Sequence, residues 1–171
     1  GYAVSDVAKY AAEWKANAMG IDLNRNFSSG WNKIKDRTQP SSWNYKGTEP
    51  FSAAEAAALR DYTLKYSFDA TISYHALGEV IYYSYGNKKT VNKQSKSLGT
   101  AVGNVSGYIL VDSEGDSHAG YKDWAIDALE IPSLTIEIGR ENTPLAEREI
   151  YSTFVRNIRV LPAIARWLQM Q

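Results

Sequence analysis

The sequence predicts an α/β fold, a sheet covered on both sides by helices. Stretches with helical periodicity alternate with short runs of β-branched and aromatic residues, the pattern of a layered sheet-and-helix domain. The 171 residues are 44% hydrophobic, enough for one domain with a real core and too few to expect two. No internal repeat or low-complexity linker interrupts the alternation.

Residues 5–17 place Val7, Ala8, Ala11, Ala12 and Trp14 at helical spacing. "GIDLNRNF", residues 20–27, reads as a short strand ending in Asn24, Arg25 and Asn26. Two readings of that end stand side by side: polar side chains capping a turn, or a guanidinium fork for a carboxylate or phosphate. Residues 27–51 form a long loop thick with Ser, Asn, Pro and Trp, a length that favours a functional or surface-wrapping role. Ser52 and Glu55 have the spacing of a capping box, and the alanines and leucines that follow favour a helix to about Tyr66.

Residues 68–75 form a strand that delivers His75 at its carboxyl end. A second apolar and aromatic run, 80–85, closes with a turn at Gly86 and Asn87. Residues 88–105 read as a helix with Leu98 and Val102 inward and lysines outward, followed by a short strand at 108–111 and a loop at 112–120. A short helix at 121–129 precedes a buried-strand pattern at 132–138 that one carboxylate, Glu137, interrupts. The last helix spans about 144–169, with Ile150, Phe154, Ile158, Leu161, Ile164, Ala165 and Leu168 as the stripe that packs on the sheet.

Charge and composition exclude several partners. Lys+Arg and Asp+Glu both number 19, so no net basic field gathers nucleic acid or anionic lipid. The absence of cysteine excludes disulfides, thiolate zinc sites and a cysteine nucleophile. No apolar run is long enough to span a bilayer as a helix, and the first residues lack a signal-peptide pattern.

His75, Glu137 and Arg25 each need partners if buried. His75 is either a hydrogen-bonded core histidine or a metal ligand. Glu137, flanked by Ile136 and Ile138, either reaches solvent at a strand end or faces a cleft, where burial raises a carboxyl towards general-base use. Both fall at the carboxyl ends of strands, where open α/β sheets bind their ligands.

These residues carry a resemblance. "GIDLNRNF", "SYHALGEVIYYSYG", "GYKDW" and "LTIEIG", in this order, resemble the zinc carboxypeptidase family, and most of all its bacterial branch acting on peptidoglycan stem peptides, the γ-D-glutamyl-diaminopimelate peptidases. The likeness extends from Trp14 to the final helix. It implies a mixed, mostly parallel sheet flanked by helices, with the N-terminal portion of the domain absent and residues 1–171 forming the C-terminal part of a single catalytic domain. It implies zinc as cofactor, with His75 as the one ligand in this chain and Gly86 closing the aromatic stretch. Asn24 and Arg25 would bind the terminal carboxylate of a peptide substrate. Glu137, thirteen residues after Trp124, would be the general base. Lys122 falls where the family selects a side chain, and an ammonium there would suit a carboxylate such as that of diaminopimelate; the other reading of Lys122 is a solvated surface lysine.

The sequence also departs from the family. Its His-x-x-Glu zinc motif is missing, since His75 is followed by Ala76, Leu77, Gly78 and Glu79. The arginine expected to polarise the scissile carbonyl is Met19, with Lys15 the nearest cation, and the substrate-closing tyrosine is absent near Gly115. The resemblance therefore implies a zinc-dependent peptidase that is inactive as this chain alone, its other ligands expected upstream of residue 1. The competing reading is a non-catalytic module that holds peptide carboxylates. Loss of strands would leave an open edge and an apolar face, so self-association or pairing with the missing segment is expected. The substrate implies an extracytoplasmic or spore-associated location.

Overall fold

A computed structural model of the chain describes residues 7–113 and 117–171, without side chains at 8–10. The start of the first helix and the Gly115 region therefore lie outside the described residues. The chain divides into two compact units: Gly1–Lys65 with His118–Gly120, and Tyr66–Ser117 with Tyr121–Gln171.

The first unit holds helices α1 (Val7–Glu13) and α2 (Ala54–Lys65) and, between them, single turns of 3-10 helix at Leu23–Arg25 and Trp31–Lys33. The face predicted for α1 is not an inner one: Val7 is exposed, as are Ala11 and Ala12. The predicted capping box does not form either, because both of its side chains serve distant residues. Ser52 Oγ accepts from Asn26 at 2.9 Å, and Glu55 accepts from Asn17 at 3.1 Å. Asn26 Oδ1 takes the Ala53 N–H at 2.9 Å instead.

The second unit is built on four strands, β1 (Thr71–Ala76), β2 (Val80–Tyr82), β3 (Ile109–Val111) and β4 (Ser133–Ile138), in the order β1-β4-β2-β3. The pairs β1/β4 and β2/β3 are parallel and β2/β4 is antiparallel, so the sheet is mixed and mostly parallel. Alternation along each strand gives the sheet two unlike faces. One carries Ile72, Ile81, Tyr83, Leu134, Ile136 and Ile138, which pack with Leu98 and Val102 of α3 (Lys89–Ser106). The other carries Thr71, Ser73 and His75 beside Ser133, Thr135 and Glu137. Helix α4 (Tyr121–Leu129) packs against β1 and β4 and contributes no residue to the apolar cluster.

The predicted last helix is two helices, α5 (Ile150–Asn157) and α6 (Val160–Leu168), preceded by a 3-10 turn at Glu147–Glu149. Pro162 causes the break. It has no N–H to give the Ile158 carbonyl and its ring would collide with that group, so Ile158 and Arg159 form the joint while the proline sits in the first turn of α6. The break accompanies a change of face. Val160 (0% exposed) and Trp167 (3%) enter the core, whereas Ile150, Phe154, Ile158 and Leu161 of the predicted stripe are between 56% and 73% exposed. Ile164 alone of the large predicted residues packs against the cluster.

Candidate functional site

Parallel pairing of β1 with β4 sets His75 directly beside Glu137, and antiparallel pairing of β2 with β4 sets Val80 on the other side of the carboxylate. Neighbouring strands lie about 4.8 Å apart, and residues in register point to the same face. The imidazole and the carboxylate thus form the last row of the polar face, both half-buried, with Glu137 Oε2 itself buried. Behind them come Ser73 beside Thr135, then Thr71 and Ser133, whose hydroxyls lie 2.7 Å apart. Gly139 turns the chain two residues after Glu137. Its φ is +74°, a left-handed conformation that favours glycine, and a Cβ there would crowd the end of the Leu145 side chain.

Lys122 opens α4 and is buried, 6% exposed, which removes the solvated reading. Its ammonium donates to Ser84 O at 2.6 Å, Asp123 Oδ1 at 2.8 Å and Ser113 Oγ at 3.2 Å. Ser84 lies two residues beyond the end of β2, on the side of that strand away from Val80 and the His75–Glu137 row. The ammonium also lies 5.7 Å from the Tyr85 ring centre. Burial first, then the charges of Asp123 and Asp127, push the Tyr85 phenol up to about 12.

Asn24 and Arg25 belong to the first unit. The three residues of "NRN" differ there in what they do. Asp22 caps the turn by accepting the Asn24 N–H at 3.1 Å and the Asn44 N–H at 2.9 Å. Arg25 is half-buried and its Nη1 donates to Asn24 O at 2.8 Å. Asn26 is fully buried, and its amide nitrogen reaches Lys46 O (2.8 Å), Glu49 O (3.1 Å) and Ser52 Oγ. Asn24 and Arg25 are half-buried, while Asp22 and Asn26 hold the turn in place. The turn-capping reading of this stretch holds for Asp22, which caps the 3-10 turn; what the sequence did not show is the reach of Asn26 to Lys46 and Glu49.

Among the described residues no group of three or more His, Cys, Asp and Glu converges as metal ligands. A catalytic zinc takes about three protein ligands and keeps an open position. The described residues therefore do not complete a zinc site by themselves; His75 is the candidate ligand among them and Glu137 stands beside it.

The profile of the zinc carboxypeptidase family matches residues 1–159. Among known proteins, the chain is 34% identical over 134 residues to gamma-D-glutamyl-L-diamino acid endopeptidase 1 of Lysinibacillus sphaericus, a match covering 77% of this chain and 33% of that protein. Bovine thrombin-activatable fibrinolysis inhibitor, solved with tick carboxypeptidase inhibitor, superposes with a TM-score of 0.72 at 23% identity, over 92% of this chain and 60% of that one. Murein-tripeptide amidase MpaA of Escherichia coli O157 superposes with a TM-score of 0.54 at 22% identity, over 89% of this chain and 60% of that one. At these identities the two structures bear on the fold. The chain spans about a third of the length of the first curated relatives it matches, 33% and 36%.

Proposed function

Because the chain belongs to the zinc carboxypeptidase family, we propose that it forms part of a peptidase that hydrolyses an amide bond near a free carboxylate, in peptides of the bacterial cell-wall stem type. The shared row of His75 and Glu137 at the carboxyl ends of β1 and β4 is the observation that carries this reading. The name of the Lysinibacillus sphaericus relative supports the substrate class.

In this proposal Glu137 is the general base. A half-buried carboxylate at a strand end can take a proton from an attacking water and return it to the leaving amine. His75 would serve as one ligand of a zinc ion, a site the described residues do not complete alone; such an ion would supply Lewis acidity towards a carbonyl or water. Asn24 and Arg25 hold the substrate carboxylate, for which a guanidinium provides paired donors. Lys122 selects a second carboxylate, and a substrate reaching it competes with Asp123 for the ammonium. Such a substrate implies action outside the cytoplasm or in the spore.

The test uses the full-length protein with zinc and a γ-D-glutamyl-diaminopimelate peptide. Glu137→Gln is expected to lower turnover by about 10²- to 10⁴-fold, the usual worth of general acid–base catalysis, with zinc content unchanged. Retained turnover removes Glu137 from the role. The second reading is a non-catalytic module for peptide carboxylates, in which Asn24 and Arg25 keep the binding role. Tight peptide binding without zinc and without hydrolysis would establish it.

A further inference from the structure

The segments that leave β1 and β4 are tied together just beyond His75 and Glu137. Gly78 N–H donates to Gly139 O at 2.9 Å, and Arg140 Nε donates to Glu79 Oε2 at 2.5 Å. From α5, Arg156 Nε lies 3.5 Å from the other oxygen of Glu79, and its Nη1 donates to Ser106 O at 3.3 Å. The backbone of Glu79 takes part as well, accepting the Ile109 N–H at 3.1 Å where β3 begins. One residue thus joins the turn after β1, the turn after β4, the start of β3 and helix α5.

Two further features set Glu79 apart from an ordinary surface acid. Its side chain is only 15% exposed, against 64% for Arg140. Its φ is +51°, a left-handed conformation that strains a residue with a Cβ unless the surroundings over-determine it. Glycine would sit there without strain, so a glutamate at this position supplies its carboxylate at a backbone cost. The pair with Arg140 is too exposed on the arginine side, 64%, to contribute much to global stability. Geometry is the property it can govern.

We infer that Glu79 is a positioning residue: through Arg140 and Arg156 it holds the ends of β1 and β4 at the separation that puts His75 and Glu137 in one row. The inference rests on the peptidase reading of that row. Displacing a reacting group by about 1 Å can cost about 10²-fold in rate, so a clamp four residues from His75 and three from Glu137 is close enough to matter.

The experiment measures kcat and KM on the full-length protein, and amide hydrogen exchange with thermal melting on the 171-residue chain. Glu79→Gln is expected to lower kcat by about ten-fold with KM changed less than about two-fold, as for a loss of alignment. Gly78 exchange should accelerate at an unchanged Tm. Arg140→Gln should give the same split, and the double variant should fall no further than Glu79→Gln alone, because both remove one interaction. Arg148→Gln, which breaks the nearby Arg148–Glu141 ion pair, should change neither constant. If Glu79→Gln melts early, Glu79→Gly decides, since it keeps the left-handed turn while losing the carboxylate. A folded Glu79→Gly or Glu79→Gln protein with the kcat of the unsubstituted enzyme overturns the positioning role and leaves the site reading standing. No hydrolysis by the unsubstituted protein overturns the site reading, and the role of Glu79 with it.

Discussion

The second unit fills its interior with Ile81, Leu98, Val102, Leu134 and Ile136, each 0% exposed, while the first places Asn26, equally buried, among its loops. The difference follows from who satisfies the backbone. Strands and helices pair their own N–H and C=O groups, so side chains between them are at liberty to be apolar. The stretch from Ile21 to Ala53 has only short 3-10 turns and one bridge, Arg37 with Tyr45. Scattered backbone pairs such as Asp22 N–H to Tyr45 O and Phe51 N–H to Asn26 O satisfy part of it, and the side chains of Asn17, Asp22 and Asn26 meet further carbonyls and amides. A turn that carries the proposed carboxylate-binding Asn24 and Arg25 is therefore braced by side-chain hydrogen bonds, whereas the strands that carry the His75–Glu137 row pack their opposite face into the apolar cluster.

The largest effect expected on this comparison is in the packed unit. Leu134→Ala opens a cavity between β4 and α3, and a buried leucine of this kind costs about 2–5 kcal/mol. Chemical denaturation measures it. A loss below about 1 kcal/mol would mean that the sheet relaxes around the hole, and that packing does not set the register of β4.

Asn26→Ala should come next. It leaves Lys46 O, Glu49 O and the Ala53 N–H without their amide partner, at about 1–3 kcal/mol for a buried orphan. Asn26→Leu discriminates sharply, because it restores volume but no hydrogen bond. If the leucine variant is as stable as the parent, volume rather than polarity fills the first unit and the contrast drawn here fails. Gly47 adds a second check, since a Cβ there would sit 2.8 Å from Asn26 Nδ2 and 2.2 Å from Ser52 Oγ. Gly47→Ala should therefore disturb the same network.

These two interiors were unequally legible in the sequence. Strands β1 and β4 and helices α3 and α4 follow from local pattern, because a period of two or 3.6 reports which side a residue faces. The His75–Glu137 row follows only when the register of β1 on β4 is known, and a one-residue slip would turn one of the pair to the apolar face. The polar interior of the first unit is not written in any local pattern, since Asn26 serves carbonyls 20 and 23 residues away. The same distance effect undid the capping box at Ser52. The last helix failed for a different reason: its apolar residues fall at helical spacing on two sides, and the stripe that looked inward is the outward one. Pro162 was the available warning. The burial of Lys122 was hidden because its partners, Ser84 and Ser113, come from separate segments.

The smallest expected effect probes a polar group inside the packed unit. Tyr85 clusters with Val91 and Ile126, and burial, with Asp123 and Asp127 adding to it, pushes its phenol up to about 12 from an ordinary 10.0. In the unfolded chain the group ionises near pH 10. The folded state holds the proton more tightly, so its contribution is fully present below pH 10 and is lost as pH rises from there towards 12. Tyr83 and Tyr108 are shifted the same way by burial, so the difference between parent and Tyr85→Phe isolates one phenol. Urea denaturation across this range should show a shallower alkaline loss in the variant, and ultraviolet difference spectra should lose one late-titrating tyrosine. Parallel stability curves would show that the apolar unit accommodates a phenolate, and would blur the line between an interior kept by packing and one kept by hydrogen bonds.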